Sequence, residues 1–190
     1  MATLLWNHSA TQLQWGAAIG ASLVAALWDI RTHRIPNWLT FPFLLGGLIA
    51  ARWMGGWAGL GDSLSGCLLL GIPYFLLFVF AGGGAGDSKM MGALGAWIGF
   101  TNGVTALLCV AVSGAILGIV YAAWRRRLMP VLSNMSLIAM SAGLMTLGRA
   151  KISDAQAMLP NEKKMLPMPY GLAIFIGTGL AATSRCLWHA

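Results

Sequence analysis

The chain has 190 residues, of which 58% are apolar and 9% charged, and it carries a net charge of +7. Average globular proteins hold about 25% charged residues, so the composition excludes a soluble domain and predicts an all-α polytopic membrane protein. The basic excess forms no extended face, which speaks against nucleic acid as a partner; membrane topology accounts for it instead.

Residues 1–9 contain no Lys or Arg ahead of the first apolar segment, so the start is expected to be mature chain rather than a cleavable signal peptide. No lipidation motif is visible. A bilayer core of about 30 Å needs roughly 20 apolar residues in helical form. The segments that qualify as spans are 12–30, 38–54, 63–81, 88–101, 103–124 and 169–188, giving about six transmembrane helices. The fourth reaches only about 21 Å at 1.5 Å per residue, so it is expected to begin below the membrane surface or where the bilayer is thinned. Residues 131–148 are also apolar but include Ser133, Asn134, Ser136 and Ser141, which fits a cytoplasmic or interfacial helix better than a seventh span. Residues 1–190 thus read as one integral-membrane domain, with 125–167 as a cytoplasmic or interfacial segment between the last two spans.

Lys and Arg near span ends set orientation. With six spans, one side collects Arg31, Arg34, Lys89, Arg125, Arg126, Arg127, Arg149, Lys151, Lys163 and Lys164, and the other only Arg52 and Arg185. The first side is therefore expected to be cytoplasmic, with both termini outside. This places Asp29, at the end of the first span, and Asp87, after the third, at similar depth on the cytoplasmic side. Asp62 falls in an outer loop, and Asp154 and Glu162 in the polar cytoplasmic loop; all are read as solvated charges.

An ionisable group at the edge of a bilayer is costly and marks a candidate site. Asp29 opens the run Asp29-Ile30-Arg31-Thr32-His33-Arg34-Ile35-Pro36-Asn37, in which Pro36 suits the first turn of a helix. The plain alternative is a basic inter-helix turn whose acid pairs with its neighbours, and His33 reads as interfacial. Asp87 closes Gly82-Gly83-Gly84-Ala85-Gly86-Asp87 and is followed by Ser88-Lys89. Glycines cost helix about 1 kcal/mol each, so this run is expected to unwind and to let another backbone approach Asp87. Two facing carboxylates suit acid/base activation of water. Cys67, Cys109 and Cys186 each sit alone in apolar stretches and read as packing residues, so neither a metal nor a cofactor is called for. Intramembrane carboxylates beside a broken helix also build transport sites, so a small proton- or cation-coupled transporter is the competing reading. Two acids at one face rather than the midplane argue against it.

Gly84-Ala85-Gly86-Asp87 is a GxGD motif. Together with Asp29, Ile35-Pro36-Asn37, Lys89 and Pro169-Tyr170, it makes the chain resemble the type IV prepilin peptidases, which are membrane aspartic proteases. The small size is most similar to the short members of tight-adherence (Flp) pilus systems. The resemblance implies a bacterial inner-membrane enzyme with Asp29 and Asp87 catalytic and Gly84, Gly86 and Lys89 in the active-site loop. It implies membrane lipid around the protein and a prepilin-like substrate, with a basic leader followed by an apolar helix, cut at the cytoplasmic face. Asp154 and Glu162 are candidates for leader contacts. The methyltransferase activity of larger members is not supported, because their cytoplasmic cysteine-motif domain has no counterpart here. Presenilin-type GxGD proteases share the chemistry, but Ile35-Pro36-Asn37 and six spans fit prepilin peptidases better. The oligomeric state is not set by the sequence.

Overall fold

The computed structural model describes residues 2–81, 84–124 and 170–188, and these are almost wholly helical. Helix α1 covers Ala2–Thr32, α2 Asn37–Ala81, α3 Ala85–Trp124 and α4 Tyr170–Trp188. The all-α expectation holds over these residues. The helix expected near 131–148, the 125–167 segment, Asp154 and Glu162 lie outside the described residues.

Helix α2 has 45 residues. Run straight, it would measure about 68 Å, more than twice the bilayer core. It does not run straight, because Gly56 adopts φ 62° and ψ −144°, a left-handed conformation that glycine takes without steric cost. The chain doubles back there, and a Cβ on Gly59 would strike the Ala51 carbonyl. Helix α3 turns in the same way at Gly99, with φ 73° and ψ −177°. Each long helix is therefore a pair of limbs, residues 37–55 and 57–81 in α2, and 85–98 and 100–124 in α3.

Contacts fix how the limbs run. Ser63 Oγ donates to the Ala96 carbonyl at 2.6 Å, Gly66 faces Gly95, and a Cβ on Gly71 would lie 3.5 Å from the Gly92 Cα. Residues 85–98 thus run antiparallel to 57–81. Past Gly99 the chain returns, and Gly103 packs on Leu69 and Leu70. The first limb of α2 joins the same group, since Trp97 Nε1 donates to the Phe43 carbonyl at 2.7 Å and the two rings stack at 5.2 Å. Three stretches, Gln12–Thr32, Asn37–Val79 and Ala85–Tyr121, are long and apolar enough to cross a membrane.

Small residues fill the interior and large ones face outward. Ala18, Ala25, Ala93, Ala106 and Ala181 are buried, whereas Trp53 is 86% exposed and Leu108, Ile116 and Ile119 are exposed as well. Helices associate in lipid by this arrangement, because hydrocarbon offers Leu and Trp no reason to hide while small residues let backbones meet. Met90, Met91 and Leu94 of α3 and Ile174 of α4 complete the core.

One sequence reading changes and another gains detail. Asp62 is not a loop charge: it lies in α2, and its Oδ1 accepts a hydrogen bond from the Phe100 amide at 3.1 Å. It caps the returning limb of α3, whose first amides have no partner within their own helix. His33 ends α1 in the left-handed region, with φ 50°, and its amide donates to the Asp29 carbonyl at 2.7 Å. It is a C-terminal cap of the αL kind.

The Gly66–Gly95 contact yields a stability test. Gly95→Val forces the backbones apart and is expected to cost about 1–3 kcal/mol, read as a lower unfolding midpoint in detergent. Gly20→Ala, where a Cβ meets nothing within 4 Å, is expected to raise stability by about 0.5–1 kcal/mol. Equal effects of the two changes would contradict the contact.

Candidate active site

Asp29 sits one turn before the end of α1 and is 5% exposed. A buried carboxylate is tolerated only when hydrogen-bonded, and its Oδ2 accepts the Gly171 amide at 2.8 Å. Gly171 is the second residue of α4, so the amide is one that no carbonyl of its own helix can satisfy. The positive end of the α4 dipole also favours a carboxylate there. Asp29 therefore caps a helix that follows it by 142 residues. Position 171 must lack a side chain: a Cβ would come 2.9 Å from the Asp29 Cβ and 3.1 Å from the Ala26 Cα.

Asp87 reaches the same place from α3. Over its described residues, 84–87, the glycine run unwinds less than expected, because the helix resumes at Ala85 and Asp87 lies in its first turn. Its amide donates to the Gly84 carbonyl at 3.1 Å. Both motif glycines have a spatial reason. A Cβ on Gly84 would lie 2.5 Å from Asp87 Oδ2, and one on Gly86 would lie 3.0 Å from the Ile35 Cβ and 3.2 Å from its backbone nitrogen and oxygen. Gly84 leaves room for the carboxylate, and Gly86 lets α3 press against the turn after α1.

Asp29 and Asp87 lie within electrostatic reach of each other. Tyr74 from α2 and Tyr170 at the start of α4 lie near enough to Asp87 for an electrostatic interaction. Four helices thus contribute to one end of the bundle. Sequence reading found both aspartates but missed Tyr74 and Gly171, and it took Tyr170 only as the opening of the last span. A signal for Tyr74 was available, since the chain has only 3 tyrosines and this one interrupts an apolar span.

Lys89 is turned elsewhere. Its Nζ donates to Asn37 Oδ1 at 3.0 Å and lies 5.7 Å from the Phe41 ring centre, tying α3 to the start of α2. Arg31 and Arg34 are exposed. The opposite end of the bundle holds the Gly99 turn, Asp62, and a contact between Arg185 and the Asn102 side-chain oxygen. Among the described residues no three His, Cys, Asp or Glu side chains gather as a metal site would need.

Residues 17–119, which include both aspartates, match the type IV leader peptidase family. Among similar proteins, the prepilin leader peptidase/N-methyltransferase of Burkholderia pseudomallei (strain 1026b) is 38% identical over 128 residues, 60% of this chain and 40% of that protein. Its namesake in Aeromonas salmonicida (strain A449) is 39% identical over 98 residues, 48% of this chain and 33% of its own length. That of Pectobacterium carotovorum subsp. carotovorum is 33% identical over 134 residues, 66% of this chain and 47% of its own. The chain thus spans less than half the length of these curated relatives. No solved structure matches it. With the matched stretch covering more than half of its residues, and the GxGD resemblance borne out, this chain belongs to the type IV leader peptidase family.

Proposed function

We infer that the chain is a membrane aspartic endopeptidase that removes the basic leader from prepilin-like, Flp-type substrates, with Asp29 and Asp87 as its catalytic pair. The observation that carries this reading is their convergence, from α1 and α3, at one end of the bundle. The printed activity of the relatives supports the substrate class.

In the chemistry that follows, one carboxylate of the pair is ionised and the other protonated. The ionised one takes a proton from a water held between them, and the water oxygen bonds to the scissile carbonyl carbon. The protonated one hydrogen-bonds the carbonyl oxygen and then supplies the proton with which the amine leaves. The two titrate as a pair, so acid and base belong to the dyad rather than to either residue. The Gly171 amide fixes one oxygen of Asp29, leaving Oδ1 for water. Side-chain-free Gly84 opens a path for substrate backbone to Asp87.

The same reading takes the limbs divided at Gly56 and Gly99, with α1 and α4, as six membrane passes. Residues 1–190 form one integral-membrane domain, 125–167 a cytoplasmic or interfacial segment, and 131–148 a helix within it. The bias of Lys and Arg puts both termini outside and the aspartates toward the cytoplasm of the bacterial inner membrane. A prepilin cut where its basic leader meets its apolar helix presents the bond at that depth. Transport is not favoured, because the acids lie at one end of the bundle and not at its midplane.

Asp29→Asn and Asp87→Asn are each expected to abolish cleavage of a candidate prepilin in purified micelles, with protein abundance unchanged; full cleavage by either variant would sink the two-aspartate mechanism. Micelles hold no gradient, so cleavage there also separates protease from transporter. Asp62→Ala is expected to cost about 1 kcal/mol of stability through the lost cap while leaving processing near normal. Gly171→Val is expected to lower turnover at least tenfold in folded protein by displacing Asp29, roughly the 1.4 kcal/mol per decade of a misplaced catalytic group. Unchanged turnover would show that the amide does not position the carboxylate.

A further inference from the structure

A groove of about 280 Å³ runs between the two limbs of α2 and the start of α3. Leu44, Leu68, Ile72 and Phe75 line it, and Thr40 and Lys89 contribute to it from the end of the bundle that holds the aspartates. Leu44 apart, the apolar lining is half exposed or nearly so: Leu68 at 58%, Ile72 at 50% and Phe75 at 55%. Within a bilayer this groove therefore opens sideways to lipid.

Its chemistry chooses the occupant. An extended peptide would bring amides and carbonyls that need partners, and the groove has few to give. The Thr40 hydroxyl donates to the Asn37 carbonyl at 3.3 Å and the Ser88 hydroxyl to the Ala85 carbonyl at 3.0 Å, so neither proton is free for a peptide carbonyl. A hydrocarbon chain needs no partner. At the end of the groove, the Lys89 ammonium has three N–H donors, one of them bonded to the neutral Asn37 amide oxygen. Among the described residues no carboxylate pairs with it. Arg31 and Arg34 are exposed at the same end of the bundle and add to the positive field.

We propose that this groove is a binding site for an anionic phospholipid, with one acyl chain along Leu44, Leu68 and Ile72 and the phosphate on the Lys89 ammonium. A zwitterionic lipid fills the same groove but carries its own cation beside the phosphate, so the positive charge of Lys89, which has no carboxylate partner among the described residues, selects a net negative headgroup. The site is independent of the peptidase reading, since none of its contacts involves Asp29 or Asp87.

Native mass spectrometry of the full-length protein in detergent tests this, using phosphatidylglycerol and phosphatidylcholine with identical acyl chains. Wild type is expected to retain phosphatidylglycerol roughly fivefold more than phosphatidylcholine, the increment of one interfacial lysine. Lys89→Gln is expected to bring the ratio near one and Lys89→Arg to keep it. Leu68→Trp, which crowds the groove from an exposed position, is expected to weaken retention of both lipids. Unfolding midpoints near wild type establish that each variant is folded. Equal retention of the two lipids by wild type, an unchanged ratio in Lys89→Gln, or unchanged retention in Leu68→Trp would overturn the site. So would displacement of phosphatidylglycerol by an apolar pilin-like peptide, which would make the groove a peptide site.

Discussion

The bond from the Gly171 amide to the Asp29 carboxylate is the constraint on which the arrangement of this bundle turns. A carboxylate that is 5% exposed needs a donor, and helix α1 has none to spare at its C-terminal end, where free carbonyls collect. The N-terminus of α4 supplies what is missing. Once α4 must begin at Asp29, position 171 must be glycine, and the two helices must approach at Ala26. The polar requirement of one side chain thus fixes the placement of a helix far away in sequence.

The depth of Asp87 follows from packing rather than from charge. Gly66 against Gly95 and Gly71 against Gly92 set the register of α3 on α2, and small residues make that register the closest one available. The first turn of α3 then meets the turn after α1, through Ile35 on Gly86 and Lys89 on Asn37. The two segments that drew notice in the sequence, Ile35-Pro36-Asn37 and the GxGD run, therefore touch each other. Their contacts set α1 against α3 at the end of the bundle where both carboxylates lie.

Much of this was legible in the sequence because a bilayer imposes lengths. The apolar segments map onto α1, the four limbs and α4, and the glycine run does mark the break before α3. Turns were harder. Gly56 reverses the chain with a single left-handed residue, whereas the sequence reading allowed a connection over 55–62 and so left Asp62 in a loop; the short break read at 102 falls three residues past the actual turn at Gly99. The glycine run misled in the opposite direction. Helix propensity argued for unwinding through Asp87, but Gly86 stays helical because its missing side chain is needed for contact with Ile35. Tyr74 left a signal as a tyrosine inside an apolar span, but Gly171 escaped notice for a different reason: its importance lies in what it faces across the bundle, and no local pattern records that.

The central claim is that Asp29 and Asp87 face each other within one chain. Its most direct test replaces both with cysteine in a chain carrying Cys67→Ala, Cys109→Ala and Cys186→Ala, treats the folded protein with a short bis-maleimide reagent, and reads the intact mass. A single reagent bridging the two positions within one chain is the expected result. Two reagents, each attached to one thiol with its other end free, would show that the positions do not meet and would contradict the account.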